Sequence, residues 1–366
     1  LDGRLRVAPR PRAHVARLSP YEWEAMASDV ARAAGIAESE VVRFDTNTTP
    51  WPPNAWEQTV LDAPRLAANE YPHPSNEPLR SALAASLQVP PEQVVVTSGA
   101  DEALALVAQV YLGPDATAVV ADPSFSMFRV VTEAVGASLV RVAVDENWDP
   151  PRERLLEAVR EAAVVWLCSP NNPTGRLLSA NLVSDVLEAA PDAVVVVDEA
   201  YFEISGQTLA ALVLGAPNGV LVRTFSKGYG LAGARVGYLA AAPEITSAIE
   251  AVRLPQNMTA FGIIAALRAF QDQTGLHQRV SAILDERTRL IEALTSRGWT
   301  LVPSSANFLL GSPPRPAADV AAWLQGGGLV VRSYPGHPQL NDWLRVTVRS
   351  PEEDTRLLRR LDLLPR

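Results

Sequence analysis

Seven short runs of β-branched and small apolar residues recur through the first two-thirds of the chain, each separated from the next by helix-like sequence. They cover residues 94–97, 116–121, 139–144, 163–167, 194–197, 220–224 and 236–240. Strands alternating with helical segments predict a mostly parallel sheet covered by helices on both faces. In such sheets ligands collect at the carboxyl ends of the strands. The residues just after the runs are therefore informative: Ser98-Gly99, Asp122-Pro123, Ser169-Pro170-Asn171-Asn172-Pro173, Asp198-Glu199 and Ser226-Lys227.

From about Pro255 the pattern changes. Long helical segments are predicted over residues 259–271 and 276–297, followed by short strands around Phe308, Val330 and Val346. The Pro-rich stretch 311–316 and the triplet Gly326-Gly327-Gly328 read as loops. The expected division is an N-terminal arm over residues 1–50, a large α/β domain over 51–254, and a small α+β domain over 255–366. A chain of 366 residues is long enough for two such units and for a buried cofactor.

Charge and composition narrow the partners. With a net charge of −9 and no cluster of Lys and Arg, the chain offers no broad footprint for a phosphate backbone, so nucleic acid is not an expected partner. The only cysteine, Cys168, lies in an apolar run, which excludes an intramolecular disulfide or a thiolate metal cluster and fits a reducing cytoplasm. No apolar run approaches the ~20 residues of a membrane span, and residues 1–12 lack the apolar stretch of a secretory signal.

Four strand ends carry the chemistry. A lysine after a strand is ordinarily a solvated surface residue, but Lys227 lies between Thr224, Ser226 and Arg235, groups that can surround a phosphate dianion. Glycines nearby let the backbone approach closely, and a lysine there can form an imine with an aldehyde cofactor. An Asp at a strand end is often only a helix cap, yet a buried Asp198 facing a pyridine nitrogen would keep it protonated and make the ring an electron sink. Tyr201, three positions on, could reach the ring's phenolic oxygen. Asn172, within what could be a plain Pro-stabilised turn, would supply an amide donor to the same oxygen. Ser98-Gly99-Ala100 opens a helix after a strand, where free N–H groups suit an anion.

Taken together, residues 169–175, Asp198-Glu199-Ala200-Tyr201 and Ser226-Lys227 with Arg235 resemble the fold-type I pyridoxal-phosphate (PLP) aminotransferases of class I/II. Within them the chain is most similar to the histidinol-phosphate aminotransferases, from Leu18 to the C-terminus. The resemblance implies a fold-type I PLP-dependent transferase, in which Lys227 is the Schiff-base lysine and proton carrier. It implies that Ser98, Gly99, Ala100, Ser226 and Arg235 hold the cofactor phosphate, with Thr224 nearby, and that Phe125 stacks on the ring. Tyr71 matches a tyrosine that reaches the neighbouring subunit's site, implying a homodimer with shared active sites. Arg345 matches the clamp for the substrate α-carboxylate, a task its planar fork suits. Arg332 matches a position that can meet a second anionic group such as a phosphate, and Tyr21 a substrate-side tyrosine on the arm. No metal is expected.

Two stretches depart from the family pattern: Asp45-Thr46-Asn47-Thr48-Thr49-Pro50 replaces an Asn-Glu-Asn-Pro signature, and residues 254–259 replace a Tyr-Pro-rich stretch. The first bears on the substrate-side walls, and with both departures the acceptor stays open. The expected activity is transfer of an amino group between a donor, glutamate, and a keto or aldehyde acceptor, both small molecules. A PLP decarboxylase resembling threonine-phosphate decarboxylase is the alternative, although the His-Gly-Gly-type N-terminal motif of that enzyme is missing. A PLP-binding regulatory protein is a third reading, for which the sequence before Leu18 leaves no room for a DNA-binding segment.

Overall fold

A computed structural model describes residues 12–18, 24–54, 56–62 and 69–364. In chain order its strands are β1 (Val42–Arg43), β2 (Val94–Thr97), β3 (Thr117–Asp122), β4 (Ser138–Ala143), β5 (Val164–Cys168), β6 (Val194–Asp198), β7 (Gly219–Thr224), β8 (Gly237–Ala241), β9 (Thr300–Leu301), β10 (Phe308–Ser312), β11 (Leu329–Val330), β12 (Arg332–Ser333) and β13 (Leu344–Thr347). The seven expected runs are β2 to β8, and they form one sheet in the order β2-β8-β7-β6-β5-β3-β4.

Every residue of β5, β6 and β7 is buried, as expected of strands covered on both faces. The pleat divides their side chains. Val194 and Val196 enter the core on one face with Leu104, Phe128 and Trp166, while Val195 and Val197 enter the core on the other with Leu155, Val183 and Leu221. Trp166 stacks on Phe128 with centroids 5.5 Å apart and donates its indole N–H to Thr132 at 3.0 Å, so its one polar atom is satisfied in the core.

The pairs β7-β6, β6-β5, β5-β3 and β3-β4 are parallel. β8 runs antiparallel between β2 and β7. Its direction follows from the connection: residues 225–236 hold only the short turn Ala232–Ala234 instead of a crossover helix, so the chain returns as it came. The fold is thus the mostly parallel, helix-flanked α/β sheet expected from the sequence, with one antiparallel strand inserted.

A second sheet, ordered β12-β13-β10-β9, is antiparallel and forms a smaller unit with the helices α1 (Gln273–Thr295), α2 (Ala317–Gln325) and α3 (Pro351–Asp362). Helix α3 starts on a reciprocal cap between Ser350 and Glu353, with Pro351 in its first turn. The stretch 311–316 is not wholly loop: Gly311 and Ser312 extend β10, where Gly311 lies opposite Leu344 and a Cβ would stand 2.8 Å from the Trp299 ring. The segment before residue 50 joins this unit. β1 pairs in parallel with β11, and Val42 and Phe44 share a core with Ile283, Leu290, Leu344 and Leu357. Among the described residues no helix is long and apolar enough to cross a membrane.

The topology brings Asp122, Cys168, Asp198 and Thr224, the last residues of β3, β5, β6 and β7, to one edge of the large sheet. A cavity of about 850 Å³ lies along that edge, closed on the other side by residues 43–48 and by Arg332, Tyr334, Leu340 and Arg345 of the small unit.

Candidate active site

One end of the cavity is built for an anion. A 13-residue helix, Gly99–Tyr111, starts directly after β2 with Ala100 and Asp101 of its first turn lining the cavity, and the first turn of a helix has N–H groups without helical partners, which suit an anion. Gly99 is left-handed at φ +79°, and a Cβ there would stand 2.6 Å from Arg235 Nη2, so only glycine lets the guanidinium lie against the helix start. Arg235 is held at 2.9 Å by Asp101. Thr224 donates to Ser226 Oγ at 2.9 Å, placing two hydroxyls beside the arginine. Of the residues expected to grip a phosphate, Ala100, Thr224, Ser226 and Arg235 line the cavity; Ser98 and Gly99 stand behind it, the Ser98 N–H bonded to Glu102.

The middle is the most perturbed part. Asp198 is 1% exposed and accepts the Ala200 N–H at 2.9 Å, with no cationic side chain within ion-pair distance among the described residues. Burial pushes its carboxyl up to about 7, against the pull of the Ala200 N–H and Lys227. Lys227, on the adjacent parallel strand's exit, donates to the Thr46 carbonyl at 3.2 Å. Burial, then the charge of Arg345, brings its amine down to about 8. Lys227 is also the only lysine among 32 Lys and Arg residues, a signal that counting the sequence exposes and motif reading passes over.

Tyr201 is buried, its ring edge on Phe308 at 5.2 Å and the Lys227 amine 5.8 Å from its centroid. Burial holds its phenol above the ordinary value, so it stays protonated at neutral pH. Phe125 lines the opposite wall, packed edge-on against Phe128.

On the small-unit side, Arg345 is 8% exposed. Nη1 donates to Asn172 Oδ1 at 2.6 Å and Nη2 to the Asp45 carbonyl, while Nε is buried without a partner. Asn172 therefore turns its oxygen to Arg345, and among the described residues its Nδ2 has no protein acceptor. Arg332 lies 3.4 Å from Glu24.

Tyr71 is 84% exposed and does not line the cavity of its own chain. Tyr21 falls outside the described residues.

Other cavity residues carry no sequence signal of their own. Asn47, at φ +52° and 2% exposed, donates to the Tyr201 hydroxyl at 3.0 Å. It accepts from Thr347 and Asn307 and donates its backbone N–H to Thr347, so all its polar groups are used. Glu24, Arg43, Asp45 and His337 also line the cavity. In sequence, Asp45 and Asn47 show only as part of the stretch 45–50 that departs from the family pattern.

These residues fit a phosphorylated pyridine aldehyde. A hydroxyl, arginine and helix-start cradle suits the phosphate, an uncompensated buried carboxylate suits a protonated ring nitrogen, and an amine with a lowered pKa suits the aldehyde.

The profile of "Aminotransferase class I and II" matches residues 39–361. A histidinol-phosphate aminotransferase of Symbiobacterium thermophilum is 35% identical over 96% of this chain and 97% of its own. Histidinol-phosphate aminotransferase 1 of Thiobacillus denitrificans is 34% identical over 94% and 91%. The structure of histidinol-phosphate aminotransferase from Sinorhizobium meliloti in complex with pyridoxal-5'-phosphate superposes with a TM-score of 0.87 at 27% identity, covering 98% of both chains. With the fold, the strand-end residues and the full-length match in agreement, the chain belongs to the class I and II aminotransferase family and has its fold-type I architecture.

Proposed function

We propose that the cavity binds pyridoxal 5'-phosphate and transfers an amino group between glutamate and a keto or aldehyde acceptor, in the manner of the histidinol-phosphate aminotransferases the chain is similar to. One observation carries the reading: the sole lysine and an uncompensated buried carboxylate stand at the ends of two neighbouring parallel strands and line one cavity.

Lys227 would anchor the cofactor and Asp198 would hold a positive charge at its ring nitrogen. Tyr201 and the Asn172 amide would orient the phenolic oxygen, Phe125 would pack on the ring, and Ala100, Thr224, Ser226 and Arg235 would hold the phosphate. When bound, the cofactor supplies a sink for the electron pair left on the substrate's α-carbon. The chain's residues do the rest. Arg345 grips the substrate carboxylate through donors already pre-set by Asn172 and Asp45. Lys227, with its amine brought down to about 8, can both take and return a proton near neutral pH. The small unit and residues 43–48 keep water from the reacting carbon.

A homodimer is part of the proposal. Tyr71, Leu61 and Leu254 are 84%, 71% and 71% exposed, and Arg253 ties the segment before Leu254 to the Pro74 carbonyl near Tyr71. Apolar side chains so exposed are expected to be covered, and Tyr71 would then face the partner's cavity. One buried free thiol supports a cytoplasmic setting.

The test is a half-reaction. Cofactor-loaded protein mixed with L-glutamate should lose the absorbance of its aldehyde form, release 2-oxoglutarate and regain the spectrum on adding an acceptor. Release of carbon dioxide from a phosphoamino acid, with no response to glutamate, would overturn the reading in favour of a decarboxylase.

A further inference from the structure

Arg332 and Arg345 stand directly opposite each other across the antiparallel pair β12-β13 and both line the cavity. Opposed residues of such a pair project from the same face, so two guanidinium groups share one patch. Left alone they would repel each other and favour a dianion.

The chain supplies its own counter-charge. Glu24 Oε1 lies 3.4 Å from Arg332 Nη1 and accepts the N–H of Ser333 at 3.2 Å, which seats the carboxylate on β12 itself. Beside it, Asp45 forks Arg43 at 2.8 and 2.6 Å. Arg345 differs: among the described residues its acceptors are neutral, and its buried Nε has none. Among the described residues, Arg43 and Arg332 of this cluster each have a carboxylate beside them, whereas Arg345 is met by neutral acceptors alone, which leaves its charge to be met by substrate.

We propose that Glu24 is a specificity residue, which caps Arg332 and tunes the substrate-anion patch to a single negative charge. The favoured substrates are then 2-amino and 2-oxo acids, whose carboxylate completes Arg345, over amino alcohol phosphates that would set a dianion against the Glu24 carboxylate. This deepens the aminotransferase reading and rests on it.

The test compares half-reactions of the cofactor-loaded enzyme with L-glutamate and with L-histidinol phosphate, followed by stopped-flow absorbance. Wild type is expected to react with glutamate at an apparent second-order constant about tenfold or more above that for histidinol phosphate. Glu24→Gln, which keeps an acceptor for the Ser333 N–H, should raise the histidinol phosphate constant about fivefold, the worth of one partly exposed ion pair, and leave the glutamate constant within about twofold. Wild type favouring histidinol phosphate would overturn the proposal without need of any variant. So would a Glu24→Gln or Glu24→Ala enzyme whose preference does not move. Failure of glutamate to react at all would instead sink the aminotransferase reading.

Discussion

Among 32 Lys and Arg residues a single position keeps an amine, and it is the one at the centre of the cavity. Arginine can carry surface charge, ion pairs and carboxylate recognition at every other basic site, but it does not lose its proton and cannot serve as a nucleophilic amine. Asp198 is the opposite case, a carboxyl placed where the protein alone gives it no partner. Its folded value of about 7 lies above the ordinary 3.8, so between about pH 4 and pH 7 the folded cofactor-free protein binds more protons than the unfolded chain. The contribution to stability is fully present below about pH 4 and is lost as pH rises through about 7. Asp198→Asn should therefore stabilise the cofactor-free protein at pH 8, by an amount of order 3 kcal/mol, with the gain vanishing towards pH 4. Thermal melts across that range check this; a variant less stable than wild type at pH 8 would refute it. In the loaded enzyme the same change should slow the glutamate half-reaction at least about a hundredfold, because the ring loses its counter-charge. Lys227 and Asp198 were legible in sequence because their chemistry demands one residue type at a strand end, and Arg345, inside β13, through the family resemblance. Asn47 and Glu24 were not, since their partners lie between 154 and 309 positions away and no local pattern encodes those contacts.

At the level of elements, strand runs reveal themselves through burial: a segment such as β6 is apolar throughout because both its faces are covered. Direction is not written in such a run, and the antiparallel β8 follows from the connection before it, which holds a single 3-10 turn and no crossover helix. That strand matters to the site. A Cβ on Gly237, the first residue of β8, would stand 2.6 Å from the Gly99 carbonyl carbon and 2.7 Å from the Ala100 nitrogen, both backbone atoms. Gly237→Ala should push the helix start away from the cavity, costing about 2–3 kcal/mol of stability and weakening cofactor affinity more than tenfold. Gly99→Ala meets only the end of the Arg235 side chain, although at a left-handed φ, so it should weaken the cofactor with a smaller loss of stability. Melting temperatures and cofactor titrations of the two variants distinguish these; equal effects on both measures would show that the helix start does not depend on β8.

Across the whole molecule, the cavity is assembled from three distant stretches: the strand ends of the large sheet, residues 43–48, and the small unit behind Arg332 and Arg345. Asn47 binds all three, linking Tyr201 to Thr347 and Asn307. Asn47→Ala should lose about 1–3 kcal/mol of stability and impair both half-reactions equally, since it acts through Tyr201 and not through either substrate. If Tyr71 completes the partner's site, mixing dimers of the inactive Lys227→Ala protein with dimers of Tyr71→Ala under conditions of subunit exchange should restore activity, because each hybrid holds one intact site. No gain on mixing would place Tyr71 outside catalysis.

The most direct measurement uses the chain's single lysine. The protein is loaded with pyridoxal 5'-phosphate, reduced with borohydride and mapped by peptide mass spectrometry, with and without prior exposure to L-glutamate. One reduced adduct on the peptide carrying Lys227, absent after glutamate, is the expected result. A loaded protein with no adduct on that peptide, or an adduct that glutamate leaves untouched, would contradict it.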